Sequence, residues 1–421
     1  MKREDLYYVL FEQQKEMTLE KEFVEREETK RIISFLHLKL PIIITGVRRC
    51  GKSTLLYILK NYLKLKEKEY LYVNFNDERL VDFSIEDFQK VLDFLNEQGY
   101  KEDSYLFLDE IQEAKGWEKW IDRIKESHPV FITGSNSKLL SKEISTVLTG
   151  RSISIGLYPF SFKEFLTAKK IKIENWKLDL KIQAQLRKAF LDFMSSGGIP
   201  KAIIENDKRI LAENYENIIY RDIIKRFNKN LEKPIKELSV FLLSNISNEA
   251  SIRSLSKIVQ VKNLSTVKSI LETFEKAFLF FFLNKFDFSI KKQIQNPKKI
   301  YCIDTGFVNE VGFKFSENKG RVLENIVFIE LKRRGKEIYC HYDKNECDFI
   351  IREKIKIKEV IQVCHEFNDK NKDREITGLI EVMEKFKLKE GLILTNSQEE
   401  EIKLNDKKII IKPVWKWLLE D

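Results

Sequence analysis

Short apolar runs alternate with helical stripes over the first part of the chain. Residues 41–45, 70–75, 105–108, 130–133 and 152–156 are brief apolar stretches that read as buried strands. Between them, 52–64, 85–98, 117–126 and 138–148 carry apolar residues at helical spacing. Strands alternating with helices predict right-handed crossovers and a parallel sheet covered on both faces. This pattern places an α/β core over 38–158, behind a charged helical lead-in over 1–37.

The pattern then changes. Residues 159–234 read as a helical lid and linker, interrupted by Ser195-Ser196-Gly197-Gly198-Ile199-Pro200. Over 235–305 three helices precede two short strands. Ile252, Leu255 and Ile258 mark one helical face and Val267, Ile270, Leu271 and Phe274 a second, with a turn at 261–263, which suits a winged helix-turn-helix. Residues 306–421 open with a helix, followed by strands at 337–342, 347–352 and 357–364, another helix and a strand at 391–395.

A length of 421 residues suggests two to three domains, and 43% hydrophobic with 33% charged residues is a globular composition. Lys and Arg number 75 against 66 for Asp and Glu; the resulting +9 permits a nucleic-acid partner without demanding one. Cys50, Cys302, Cys340, Cys347 and Cys364 show neither zinc-like nor paired spacing, which points to a reducing compartment. His341 and His365, although close to cysteines, read as ordinary strand residues. The first residues have no apolar core of a signal peptide, and the longest apolar run, 277–283, is too short to span a bilayer. A cytoplasmic protein without a membrane partner is expected.

The chemistry concentrates in GVRRCGKST at 46–54, between a strand and a helix. Gly46 and Gly51 let the backbone of Val47, Arg48, Arg49 and Cys50 curl so that its N–H groups face phosphate oxygens. Lys52 would meet the β and γ oxygens of ATP, and Ser53, followed by Thr54, would offer a hydroxyl to Mg²⁺. Downstream, SYLFLDE sets Asp109 and Glu110 at the end of a buried strand. Asp109 would hold the Mg²⁺ water shell and Glu110 would polarise the attacking water; a polar pair ending a strand and capping the next helix is the plainer account. FITGSNS delivers Ser135 and Asn136 to a sensor position, where turn chemistry would also favour them. Arg151 is either an arginine finger for a neighbouring subunit or a cation at a helix C-terminus.

GVRRCGKSTLL, YLFLDEIQ, Trp117, FITGSNSKLL, LTGRSISI and LYPFSFKEFL together resemble the ATP-binding proteins of archaea and bacteria in the AAA+/STAND neighbourhood. These join an ATPase to a C-terminal domain of unknown function. SSGGIPKAI, YRDIIKRF, KIYCIDTGFVN and GRVLENIVFIELKRRG extend the resemblance over nearly the whole chain. It implies a P-loop NTPase of ASCE/AAA+ type with a helical lid, a winged helix and a C-terminal α/β nuclease-like domain. It also implies that Gly198 and Pro200 lie near the adenine.

If the winged segment docks double-stranded DNA, its second helix enters the major groove, with Lys262, Asn263, Ser265, Thr266 and Lys268 near phosphates or bases. Modules of this shape also serve to pack domains together. The final segment resembles the PD-(D/E)XK nuclease core through Glu324, Asp348 and Gln362. Gln362 replaces the usual acid and Cys364 the usual lysine, so a degenerate site is expected; Lys358 lies on the same strand, but nothing in the sequence shows it reaching the site. The leading expectation is a homo-oligomeric, Mg²⁺-dependent ATPase whose nucleotide state controls a DNA-binding half. Its rivals are an ATP-licensed Mg²⁺-dependent nuclease and a nucleotide switch that scaffolds a protein partner without DNA.

Overall fold

The computed structural model describes residues 1–20, 22–134, 150–313 and 319–420. The chain forms two compact units, Met1–Tyr158 and Pro159–Asp421.

In the first unit, β1 (Ile42–Thr45), β2 (Tyr70–Asn74), β3 (Tyr105–Asp109), β4 (Val130–Gly134) and β5 (Ile153–Gly156) form one sheet in the order β2-β3-β4-β1-β5. Every neighbouring pair is parallel. The continuous apolar runs have their explanation here, because a parallel sheet is covered on both faces and gives a strand no solvent side. Helix α2 (Glu27–Ser34) precedes β1, and helices α3 (Lys52–Tyr62), α4 (Asp87–Glu97) and α5 (Trp117–Ile124) supply the crossovers between β1, β2, β3 and β4. The helix expected over 138–148 lies outside the described residues, as do Ser135 and Asn136.

The lead-in is part of this unit's packing. Helix α1 (Arg3–Thr18) buries Leu6, Val9, Leu10 and Met17 on one face. Leu6, Val9 and Leu10 share a core cluster with Leu71 and Val73 of β2. From the same face, Gln14 accepts from Tyr72 N at 3.1 Å and donates to Tyr70 O at 3.2 Å. Gln13 accepts from Asn74 N at 2.9 Å and donates to Asn74 O at 3.1 Å. Two glutamine amides thus satisfy the edge of β2 where a further strand would otherwise pair.

The second unit contains two sheets. β6 (Glu249–Ala250), β7 (Phe280–Asn284) and β8 (Lys298–Cys302) form an antiparallel sheet in the order β6-β8-β7, following helices Ile252–Ile258 and Leu264–Lys276 in part. The larger sheet has the order β13-β14-β12-β11-β10-β9. Its strands β9 (Glu337–Tyr342), β10 (Glu346–Glu353) and β11 (Lys356–Val363) are antiparallel neighbours. β12 (Glu390–Thr395) then joins β11 and β14 (Lys407–Pro413) in parallel, and β13 (Glu400–Leu404) closes the edge antiparallel to β14. Helix Lys372–Phe386 covers one face with Leu379, Val382 and Met383, packed on Ile350, Val360, Ile393 and Ile411. No helix among the described residues is long and apolar enough to cross a membrane.

Candidate functional site

The P-loop follows β1 directly. Gly51 lies at φ 98° and Arg49 at φ 64°, so the loop curls through the left-handed region before α3 begins at Lys52. Gly46 passes so close to β5 that a Cβ there would strike Leu157 O, and Cys50 Sγ would sit 2.9 Å from it. Val47 and Cys50 are buried, Arg48 and Arg49 half-buried, and Ser53 and Thr54 exposed at the first turn of α3. Burial pushes the Cys50 thiol upward, so it stays protonated and acts as an apolar prop for the loop.

Lys52 donates to Gly46 O and Val47 O, both at 3.2 Å, and its ammonium is 3.8 Å from Glu110 Oε1. Asp109 ends β3 beside it and is 2% exposed. Tyr72 OH donates to Asp109 Oδ2 at 2.9 Å, Thr133 Oγ1 donates to Asp109 Oδ1, and the Ser53 hydroxyl bonds the same carboxylate. Burial, then the neighbouring Glu110, raises the Asp109 pKa, and these three hydroxyls oppose the rise. Thr133 also accepts from Glu110 N at 3.1 Å, so one hydroxyl at the end of β4 bridges both acids. Glu110 itself is held at φ 50°, and Gln112 donates to its Oε2 at 2.5 Å. A non-glycine residue in that region carries backbone strain, here spent on aiming a carboxylate at the P-loop lysine.

The structure therefore gathers Gly46, Gly51, Lys52, Ser53, Asp109 and Glu110 at the ends of β1 and β3. Sequence reasoning missed Tyr72, Thr133 and Arg26. Arg26 is buried, donating to Cys50 O at 2.9 Å and to Tyr158 O at 2.7 Å, which ties the P-loop to the chain beyond β5. Thr133 was visible as the last polar residue of an apolar strand; nothing local marks Arg26. Arg151 is 60% exposed on its side chain and 3.5 Å from Asp122 Oδ1 of α5. The Ser53 hydroxyl and the Asp109 carboxylate, already in contact, form a hard oxygen pair that fits Mg²⁺.

In the second unit, Gly197 and Gly198 have an occupation that accounts for them without a nucleotide. Gly198 N donates to Asp304 Oδ2 at 2.7 Å and Phe160 N donates to Gly198 O at 2.7 Å. A Cβ on Gly198 would strike Phe160 O. Pro200 opens helix Pro200–Glu205 as its first residue. At the segment expected to be a winged helix, Lys262, Asn263, Ser265 and Lys268 are exposed and Thr266 is half-buried. Asn263 caps helix Leu264–Lys276 by accepting from Ser265 N at 2.9 Å, and Lys268 lies 3.8 Å from Glu272.

Glu324, Asp348, Gln362 and Cys364 do converge, lining a cleft of about 630 Å³ with Glu346 and Glu375. Lys358 is exposed on β11 and does not line it. Beside Arg374, which pairs with Glu375, Lys299 of β8 reaches the acids, 2.7 Å from Asp348 Oδ1, 2.7 Å from Glu346 Oε1 and 3.1 Å from Glu324 Oε1. Tyr301, two residues on and so on the same strand face, donates to Glu324 Oε1 at 2.6 Å. Burial and the adjacent Asp348 push Glu324 up to about 8. Burial works against the Lys299 charge, but Asp348 and Glu324 outweigh it and hold the ammonium charged. Elsewhere His341 Nε2 lies 3.2 Å from Glu381 and 3.5 Å from Asp343, but Lys285 and Lys385 also grip Asp343, making an ion-pair cluster. The five cysteines are buried and form no disulfide.

Comparison with known proteins adds the following. An AAA domain family matches residues 39–166, and a domain of unknown function (DUF8612) matches residues 187–318. The uncharacterized protein MJ1544 of Methanocaldococcus jannaschii is 37% identical over 397 residues, covering 90% of this chain and 88% of that protein. An uncharacterized protein of Haemophilus influenzae is 29% identical over 417 residues, covering 96% of this chain and 100% of its own length. Among solved structures, the Walker-type ATPase PABY2304 of Pyrococcus abyssi aligns at TM-score 0.43 and 15% identity, covering 68% of this chain and 95% of that one.

Proposed function

This chain belongs to one family with MJ1544 and joins an AAA domain to a domain of unknown function, and we propose that it is an AAA+/STAND-like ATPase whose Mg²⁺-dependent ATP hydrolysis controls DNA binding by the second unit. The observation that carries the reading is the convergence of Lys52, Ser53, Asp109 and Glu110 around one P-loop. Lys52, tethered by two main-chain carbonyls at 3.2 Å, turns its ammonium to the β and γ oxygens when ATP enters. Glu110 then accepts the proton of the attacking water, held in position by Thr133 and Gln112. Ser53 and Asp109 would hold Mg²⁺, which when bound neutralises charge on the phosphates. Arg151, exposed on the first unit, is suited to reach a neighbouring copy in a homo-oligomer.

The DNA half of the reading is supported by the exposed Lys262, Asn263, Ser265 and Lys268 at the start of helix Leu264–Lys276. The test is ATP turnover with and without double-stranded DNA at two salt concentrations, because phosphate contacts weaken steeply as salt rises. Stimulation that fades with salt is expected. Turnover indifferent to DNA would replace this reading with a nucleotide switch that serves a protein partner. In the same assay Lys52→Ala should abolish ATP binding, whereas Glu110→Gln should retain binding and lose turnover by about 10²–10⁴-fold. Unchanged affinity in the first or near-normal turnover in the second overturns the site assignment.

A further inference from the structure

The nuclease-like resemblance implies a divalent cation between Glu324 and Asp348, and the donor set does not fit one. We propose that the ammonium of Lys299 is the resident cation of this cluster, so that the cleft works without a bound metal.

Lys299 lies on the central strand of the antiparallel sheet, opposite Glu249 of β6 and Leu283 of β7, and is 1% exposed. Its ammonium is equidistant, at 2.7 Å, from Asp348 and Glu346 and only slightly farther from Glu324. The ammonium thus occupies carboxylate oxygens of all three acids that a shared metal would need. Other acceptor atoms of the cluster are engaged as well. Asp348 Oδ2 accepts from Val363 N at 2.9 Å, and Glu324 Oε1 takes both Lys299 and Tyr301. Gln362 spends its carbonyl on Asp348 N at 3.1 Å and its amide on Glu375 Oε2 at 2.6 Å. Glu375, the acid closest to replacing Gln362, is paired in turn with Arg374 at 2.5 Å.

A Mg²⁺ ion needs near-octahedral oxygens at about 2.0–2.1 Å. To share Asp348 and Glu324 it would have to displace the ammonium, which is itself buried near the start of β8. A lysine there supplies fixed charge at no loss of ion-binding equilibrium, and holds together strands β8 and β10 with helix Lys319–Arg333. The inference rests on the second unit's side chains and not on ATP hydrolysis by the first; ATP turnover of the same preparations therefore separates failure of one from failure of the other.

The experiment is a Mn²⁺ titration of the nucleotide-free full chain, followed by electron paramagnetic resonance, on wild type, Asp348→Asn, Lys299→Met and Lys299→Met/Asp348→Asn. Wild type and Asp348→Asn should bind Mn²⁺ alike. Lys299→Met should gain one saturable site, at least tenfold tighter than any Mn²⁺ binding of the wild type that depends on Asp348, and the double variant should lose it. Mn²⁺ binding by the wild type that Asp348→Asn abolishes overturns the proposal and makes Lys299 a partner of a bound metal. So does a folded Lys299→Met that gains no site. If Lys299→Met does not fold, the wild-type and Asp348→Asn pair still decides between a resident lysine and a metal.

Discussion

A methyl group added at Gly46 probes whether the P-loop is held in place by close approach to β5. Gly46 is not in the left-handed region, so Gly46→Ala adds no backbone strain and its whole effect is steric. The new Cβ would lie well inside 3.0 Å of Leu157 O and 2.9 Å from Cys50 Sγ. The thiol can shift a little, but a main-chain oxygen cannot rotate away. Relief requires moving the loop from β5, which stretches the 2.6 Å bond from Leu157 N to Thr45 O. Overpacking costs about 1–3 kcal/mol and a weakened backbone bond about 1 kcal/mol, giving about 2–4 kcal/mol together. For a unit of this size that is a fall in Tm of about 4–16 °C.

Function should suffer separately. The N–H groups that face phosphate belong to the same loop, and a displacement of about 1 Å can cost about 10²-fold in productive binding. Thermal melts and a fluorescence titration with an ATP analogue measure the two effects independently. Gly99→Ala is the control, because Gly99 has φ 71° and nothing within 4 Å of an added Cβ. It should cost only the left-handed penalty of about 1–2 kcal/mol and leave nucleotide affinity unchanged. A Gly46→Ala protein with the melting temperature and affinity of the wild type would refute the argument that close approach positions the loop.

Two further substitutions follow from buried polar groups. Thr133→Val keeps shape while removing the hydroxyl that serves both Asp109 and Glu110 N; turnover should fall by about 10–10²-fold, with a smaller loss in nucleotide affinity, and equal losses in both would reassign Thr133 to binding. Asp304 is fully buried, and burial raises its pKa from 3.8 to about 6 against the N–H groups of Gly198 and Gly306. A raised folded pKa gives stability that is full below 3.8 and lost as pH rises through about 6. The stability difference between wild type and Asp304→Asn, read by urea unfolding of the second unit, should therefore shrink by about 3 kcal/mol from pH 3.5 to pH 7; a flat difference would refute it.

Four strands of the first sheet were legible because burial on both faces makes each a mostly apolar run, as in Ile42–Thr45 or Tyr105–Asp109, whereas β5 at the edge exposes Ser154 and was legible only from Ile153 and Ile155. The P-loop was legible because its spacing expresses a backbone geometry. What escaped reading depended on partners distant in sequence. Gln13 and Gln14 look like helix-surface residues until β2 needs its edge satisfied, and Arg26 is 24 residues from the Cys50 carbonyl that it grips. Strand β13 was missed because Glu400–Leu404 is an exposed, charged edge with no apolar alternation to betray it, and β14 because its apolar run, 409–411, is only three residues long between lysines. Lys358, the cation that the sequence offered on β11 for the site, lies on the exposed stretch of that strand. Lys299, in contrast, sits in a Lys-Lys pair that reads as solvated surface.

The two lysines that matter show how the same side chain can be set to opposite uses. Lys52 is 5% exposed but weakly held, by two neutral carbonyls at 3.2 Å and a carboxylate at 3.8 Å. A triphosphate offers it more charge than it gives up, so its geometry is that of a group waiting for a ligand. Lys299 is 1% exposed and clasped by three carboxylates, two of them at 2.7 Å. Nothing a substrate could bring would exceed that, and removing the ammonium would leave buried acids without a counter-charge, a change that costs several kcal/mol. A lysine that must act on a ligand has to be stabilised less well without it than with it. Lys52 meets that condition and Lys299 does not, which is why turnover is sought in the first unit and the carboxylate cleft of the second is read as a finished ion pair.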